Sequence, residues 1–163
     1  MILGLSTATF LQIHVALSLL GIATGLLTVS AMIRGRFLPG WTAVFLAATA
    51  LTSASGFPLP PFGLDPPRIV GIVSLVVLAF ALAGLYAFRL AGPWRWIYVV
   101  SATIALYFNC FVAVVQTFQK IAFFHALAPT QREPPFAVAQ LAVLALFVAF
   151  GALGVKRFRP VLA

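Results

Sequence analysis

The sequence predicts an all-α integral membrane protein: a helical bundle of about five transmembrane helices, N-terminus outside and C-terminus cytoplasmic. Composition is the first reason. Of 163 residues, 63% are hydrophobic and 7% charged, whereas a soluble domain is about one quarter charged. So few polar side chains cannot cover a surface facing water. The second reason is continuity. The apolar residues run unbroken instead of alternating, and in lipid an unbroken run satisfies its backbone only as a helix. The third is charge placement. Lys and Arg gather between the runs, as membrane flanks do.

The chain is read as one transmembrane domain, 1–163, with spans in order. Residues 7–33 form the first. The opening "MILGLSTATF" carries no Lys or Arg, so it lacks the basic region of a secretory signal and reads as a retained span. "RGRFLPG" turns the chain into a second span at 41–57, close to the lower limit of roughly 17 residues for a 30 Å hydrocarbon core. "PLPPFGLDPPR" breaks it with five prolines. The third span is 69–90. "AGPWRW" starts the fourth, 94–118, with an outward extension to 127 as a short amphipathic cap. The fifth is 136–155, ended by "KRFRP".

Charge sets the orientation. Arg34, Arg36, Arg89, Arg95, Lys156, Arg157 and Arg159 fall on one side, and Arg68, Lys120, Arg132, Asp65 and Glu133 on the other. The positive-inside rule makes the first side cytoplasmic. Trp41, Trp94, Trp96 and Tyr98 then form an aromatic belt there. The expected reporter result is an inactive C-terminal alkaline phosphatase fusion; high phosphatase activity would reverse the orientation.

The net charge of +8 raises nucleic acid as a partner, but no basic patch is interleaved with stacking residues, so that class is excluded. The partners expected instead are membrane lipids, and a homo-oligomer or larger membrane complex that helps bury the short second span. Small residues recur at helical spacing: Gly21 and Gly25, Thr49, Ser53 and Gly56, Ala79, Ala83 and Ala87, and Ala145 and Ala149. These faces are expected to pack against one another.

Polar groups inside spans are costly and mark candidate sites. Asn109, Gln116 and Lys120 share one helical face through spacings of seven and four. His14 enters from the same side on the first span, and Gln140 lies at similar depth on the last. Together they outline an outward-facing polar cleft, with Asp65, Arg68, Arg132 and Glu133 at its rim. The loop "ALAPTQREPPFAVAQ" hangs above it as a candidate lid. The structural alternative is that the same groups hydrogen-bond helix to helix, worth about 0.6 kcal/mol per contact on average. For Lys120 the alternative is snorkelling to the interface.

No GxSxG, HExxH, Walker A or dinucleotide-binding motif occurs in the right context. No catalytic residue and no metal site is therefore expected. Haem b is disfavoured: His125 lies beyond Lys120, further out than His14, so transverse ligation is strained unless the fourth span unwinds after Lys120. With no carboxylate inside a span, a proton-coupled antiporter is disfavoured too.

The strings "WRWIYVVSATIALYFNCFVAVVQTFQK" and "LAPTQREPPFAVAQ", with "TSASGF" and "RIVGIVSLVVLA" upstream, resemble a family of small polytopic bacterial inner-membrane proteins, called hypothetical membrane proteins. The likeness covers nearly the whole chain. It implies a multi-pass bacterial cytoplasmic (inner) membrane location and brings no activity with it. Three functional readings stay open: small-molecule binding or transport through the cleft, a non-catalytic accessory or assembly subunit, and a redox or quinone-linked enzyme.

Overall fold

The computed structural model describes residues 1–60, 63 and 66–160. Its helices are α1 (Thr7–Ile33), α2 (Pro39–Ser55), α3 (Pro66–Leu82), α4 (Trp94–Lys120), α5 (Ala122–Leu127) and α6 (Pro134–Arg157). A π-helical turn, Ala83–Ala87, continues α3. Among the described residues four segments are long and apolar enough to cross a membrane: α1, α3 with its π turn, α4 and α6. At 17 residues α2 rises only about 25 Å.

Local chemistry sets the helix starts. Ser6 has extended backbone, and its Oγ accepts from the Thr9 N–H at 3.1 Å, capping α1. Helices α2 and α6 both begin with proline, where the missing N–H is no loss. That is why each starts two residues earlier than its apolar run, and why α3 begins at Pro66. Helix α4 stops at Lys120 because Ile121 turns extended, with φ −95° and ψ 116°. The predicted extension thus exists as a separate short helix, α5.

Helix α4 is the centre of the bundle. Its Tyr98, Val99, Ala102, Ala105 and Leu106 are fully buried. Tyr98 is therefore core, not belt: its ring lies 5.8 Å from that of Phe158. Trp41 and Trp96 stay exposed, and Trp94 stacks on Phe88 at 3.9 Å. Helix α1 packs along α2 and also touches α4 and α6, while α3 and α6 flank α4.

Glycines allow the closest approaches. A Cβ on Gly25 would lie 2.6 Å from Leu106 Cδ1 and 2.8 Å from Phe45 Cε2. One on Gly21 would lie 3.1 Å from Thr49 Oγ1 and 3.2 Å from Asn109 Nδ2. The Gly21/Gly25 face thus meets α2 and α4 together, as expected of close helix packing. The other small-residue faces are only partly used. Ala79, Ala87, Ala145 and Ala149 are exposed; α3 instead buries Ser74, Leu78 and Ala81, and the π turn buries Gly84 and Leu85. On α6 the close contact is Gly154, whose Cβ position is 2.8 Å from Val99 Cγ1.

The two ends differ in charge. Gly35, at φ +70°, turns α1 into α2 and would place a Cβ 3.2 Å from the Arg157 carbonyl oxygen. Arg95 Nη1 donates to the carbonyl oxygens of Val155 at 3.0 Å and Phe158 at 2.6 Å. Arg34, Arg36, Arg95 and the basic tail of α6 therefore share one end. Lys120, Arg132 and Glu133 lie at the other.

Candidate functional site

At mid-bundle, Asn109 is buried, and its Nδ2 donates to Thr49 Oγ1 of α2 at 3.1 Å. Gly21 packs against this pair. Since α1 and α4 run antiparallel, seven residues outward from Gly21 and from Asn109 bring His14 and Gln116 to one level. There His14 Nδ1 lies 2.9 Å from Ser55 Oγ, near the end of α2. Lys120, exposed, lies one turn beyond Gln116 on α4.

Gln140 reaches inward from α6 and donates from Nε2 to the Phe111 carbonyl oxygen at 3.2 Å. Among the described residues, no hydrogen bond joins any two of His14, Asn109, Gln116, Lys120 and Gln140. Three of them are tied to other groups instead. Among the described residues, the buried side-chain carbonyl oxygens of Gln116 and Gln140 have no hydrogen-bond partner. Such acceptors are uncommon in folded proteins.

The hydroxyls of α2 are the partners the sequence reading missed. Thr49 bonds to α4, Ser53 to Ser74 of α3 at 3.2 Å, and Ser55 to His14 of α1. The run "TALTSAS" at the end of α2 was their signal.

The rim divides. Asp65 lies outside the described residues. Arg68 donates to the carbonyl oxygens of Phe57 at 3.4 Å and Leu59 at 2.5 Å, pinning the α2–α3 loop. Glu133 closes the α5–α6 loop, accepting from the Thr130 hydroxyl at 2.9 Å, the Thr130 N–H at 3.3 Å and the Arg132 N–H at 3.0 Å. Desolvation pushes its carboxyl up, but the hydrogen bonds from its own backbone, Thr130 and Arg132 together outweigh that and hold it below the usual carboxylate range. Arg132 is exposed. Gln131 Nε2 donates to the Val115 carbonyl oxygen at 2.9 Å, fastening the loop to α4. These bonds give the candidate lid the geometry of a fastened hairpin.

The break at Ile121 is the bend that pairing His14 with His125 would require. His125 Nδ1 instead faces the Phe118 carbonyl oxygen at 3.3 Å. Among the described residues, no three His, Cys, Asp or Glu side chains cluster as a metal site. No family model, no curated protein and no solved structure matches the chain.

Proposed function

We propose that the chain crosses a bacterial inner membrane five times, N-terminus outside, and binds a small polar molecule in the outer half of its bundle. The fifth crossing is α2. It follows α1 from Phe45 beside Gly25, past Thr49 beside Gly21, to Ser55 beside His14, a course alongside a helix long and apolar enough to span.

The observation that supports binding is the pair of unpartnered oxygens on Gln116 and Gln140. A buried acceptor without a donor costs about 1–3 kcal/mol, and a hydroxyl or amine donor on a ligand would remove that cost. His14 adds a polar group level with Gln116, and Lys120 another one turn beyond it. Binding is preferred to transport because the loop above is fastened by Gln131 and Glu133.

Small molecules extracted from the purified protein and identified by mass spectrometry test the reading. Gln116→Met and Gln140→Met should each reduce the amount of one extracted species about fivefold, the equivalent of roughly 1 kcal/mol for one hydrogen bond. If nothing is extracted and both variants melt higher than the parent, the oxygens are unsatisfied acceptors and no site exists. An accessory subunit is the second reading, favoured by α6: only 6% of its most apolar window is buried. A co-purifying membrane polypeptide in the same preparation would favour it.

A further inference from the structure

An apolar groove lies away from the polar groups, between α4 and α6 in the half of the bundle nearer the basic end. Its volume is about 480 Å³. Ile104 and Tyr107 of α4 form one wall, Leu144, Val148 and Gly151 of α6 the other, and Lys156 stands at its end. From Leu144 to Lys156 the α6 wall rises about 18 Å, close to the roughly 15 Å depth of one leaflet's hydrocarbon, half of a 30 Å core. An apolar slot one leaflet deep with a cation at its interfacial end has the dimensions and charge order of a phospholipid: acyl chain first, phosphate last.

Among the described residues, no carboxylate lies at that end. Lys156 is exposed, and Glu133 sits at the opposite end of the bundle. Arg157 and Arg159 lie within three residues of Lys156, and Arg95 lies against the carbonyl before it. Basic groups between spanning helices on the cytoplasmic side are suited to anionic headgroups. We propose that this groove holds one acyl chain of an anionic phospholipid, with Lys156 against the headgroup phosphate. This requires the chain to lie in a bilayer and is independent of any ligand near Gln116.

The groove can be filled without disturbing the backbone. A Cβ on Gly151 would meet only Thr103 Cγ2, at 3.8 Å, so the rest of a larger side chain projects into the slot. Val148 is 64% exposed and takes a large residue equally well.

The test reconstitutes the full chain in bilayers of equal phosphatidylcholine and phosphatidylglycerol, and reads retained lipid by native mass spectrometry after detergent release. The parent should retain phosphatidylglycerol in preference to phosphatidylcholine. Lys156→Gln should lower phosphatidylglycerol retention about fivefold, the equivalent of roughly 1 kcal/mol for one lysine at an anionic surface, without changing phosphatidylcholine. Gly151→Leu should remove both lipids, and Val148→Trp repeats that test if Gly151→Leu fails to fold. Equal retention of the two lipids, or no response to Lys156→Gln, overturns the proposal. So does a parent dimer without lipid that either filling variant dissociates, because the groove would then belong to a second copy.

Discussion

Gly25→Leu is expected to prevent assembly of the bundle, and Gly25→Ala to weaken it measurably. Even a single Cβ at this position would sit 2.6 Å from Leu106 Cδ1 and 2.8 Å from the Phe45 ring. Both neighbours are fully buried, so neither can swing into open space. The ring is rigid, and Leu106 is enclosed on the central helix. Overpacking of this kind costs about 1–3 kcal/mol, a large share of a total stability of roughly 5–15 kcal/mol. The three further carbons of leucine would force α1 away from α2 and α4 together. That separation would also stretch the Asn109–Thr49 bond one turn outward, since Gly21 packs against it. Reversible unfolding in mixed micelles measures both variants. Gly40→Ala is the control: a Cβ there has nothing within 4 Å, and removing a glycine from a helix gains about 0.5–1 kcal/mol. A Gly25→Ala protein as stable as its parent would mean that α1 is not held at this contact.

The Gly21/Gly25 contact was legible because glycine at helical spacing has one physical use in a span. The bounds of α1 were legible too, set by Ser6 before and Arg34 after. Which face each helix buries was not. In water, the apolar side of a helix identifies its buried side; in lipid, the surroundings are as apolar as the core, and that signal vanishes. Hence Ala79 and Ala87 pointed to the wrong face of α3, and Tyr98 was placed at the interface although it is core. The π turn at Ala83–Ala87 adds a residue to one turn of "ALAGLYAF" without any proline or charge to announce it. For the candidate site, residue types were legible and pairings were not. Asn109 and His14 could be picked out as costly groups in lipid. That their partners are Thr49 and Ser55 depends on how α2 lies against α1 and α4. A hydroxyl that can bond back to its own helix does not advertise a longer-range partner: Thr52 bonds to the Ala48 carbonyl oxygen at 2.8 Å, while Thr49, three residues before it, bonds to α4.

Arg95→Gln is expected to loosen the end of α6 while leaving the other helices assembled. The last carbonyls of a helix lack intrahelical donors, and a cation there also meets the negative end of the helix dipole. Arg95 supplies both from the first turn of α4, bonding to Val155 and Phe158 across the interface. Hydrogen bonds to a charged group are worth about 1.5–3 kcal/mol. Little of α6 is buried, only Phe147 and Gly154, and the clamp acts at its last turn. Loss of the clamp therefore falls on one helix. Phe158 is the residue to follow: it is fully buried, with Phe37 at 6.3 Å and Tyr98 at 5.8 Å, yet it lies beyond the end of α6 and depends on Arg95 for its carbonyl. Hydrogen exchange at the Phe158 N–H, which bonds to the Gly154 carbonyl oxygen at 2.8 Å, should accelerate at least tenfold, the equivalent of about 1.4 kcal/mol of local stability. Arg95→Lys should fall between, because an ammonium keeps the charge but not the longer, planar guanidinium that sets Nη1 between the two carbonyls. Unchanged exchange in Arg95→Gln would mean that the Tyr98 and Phe37 rings alone hold Phe158, and that the guanidinium only follows the helix end it touches.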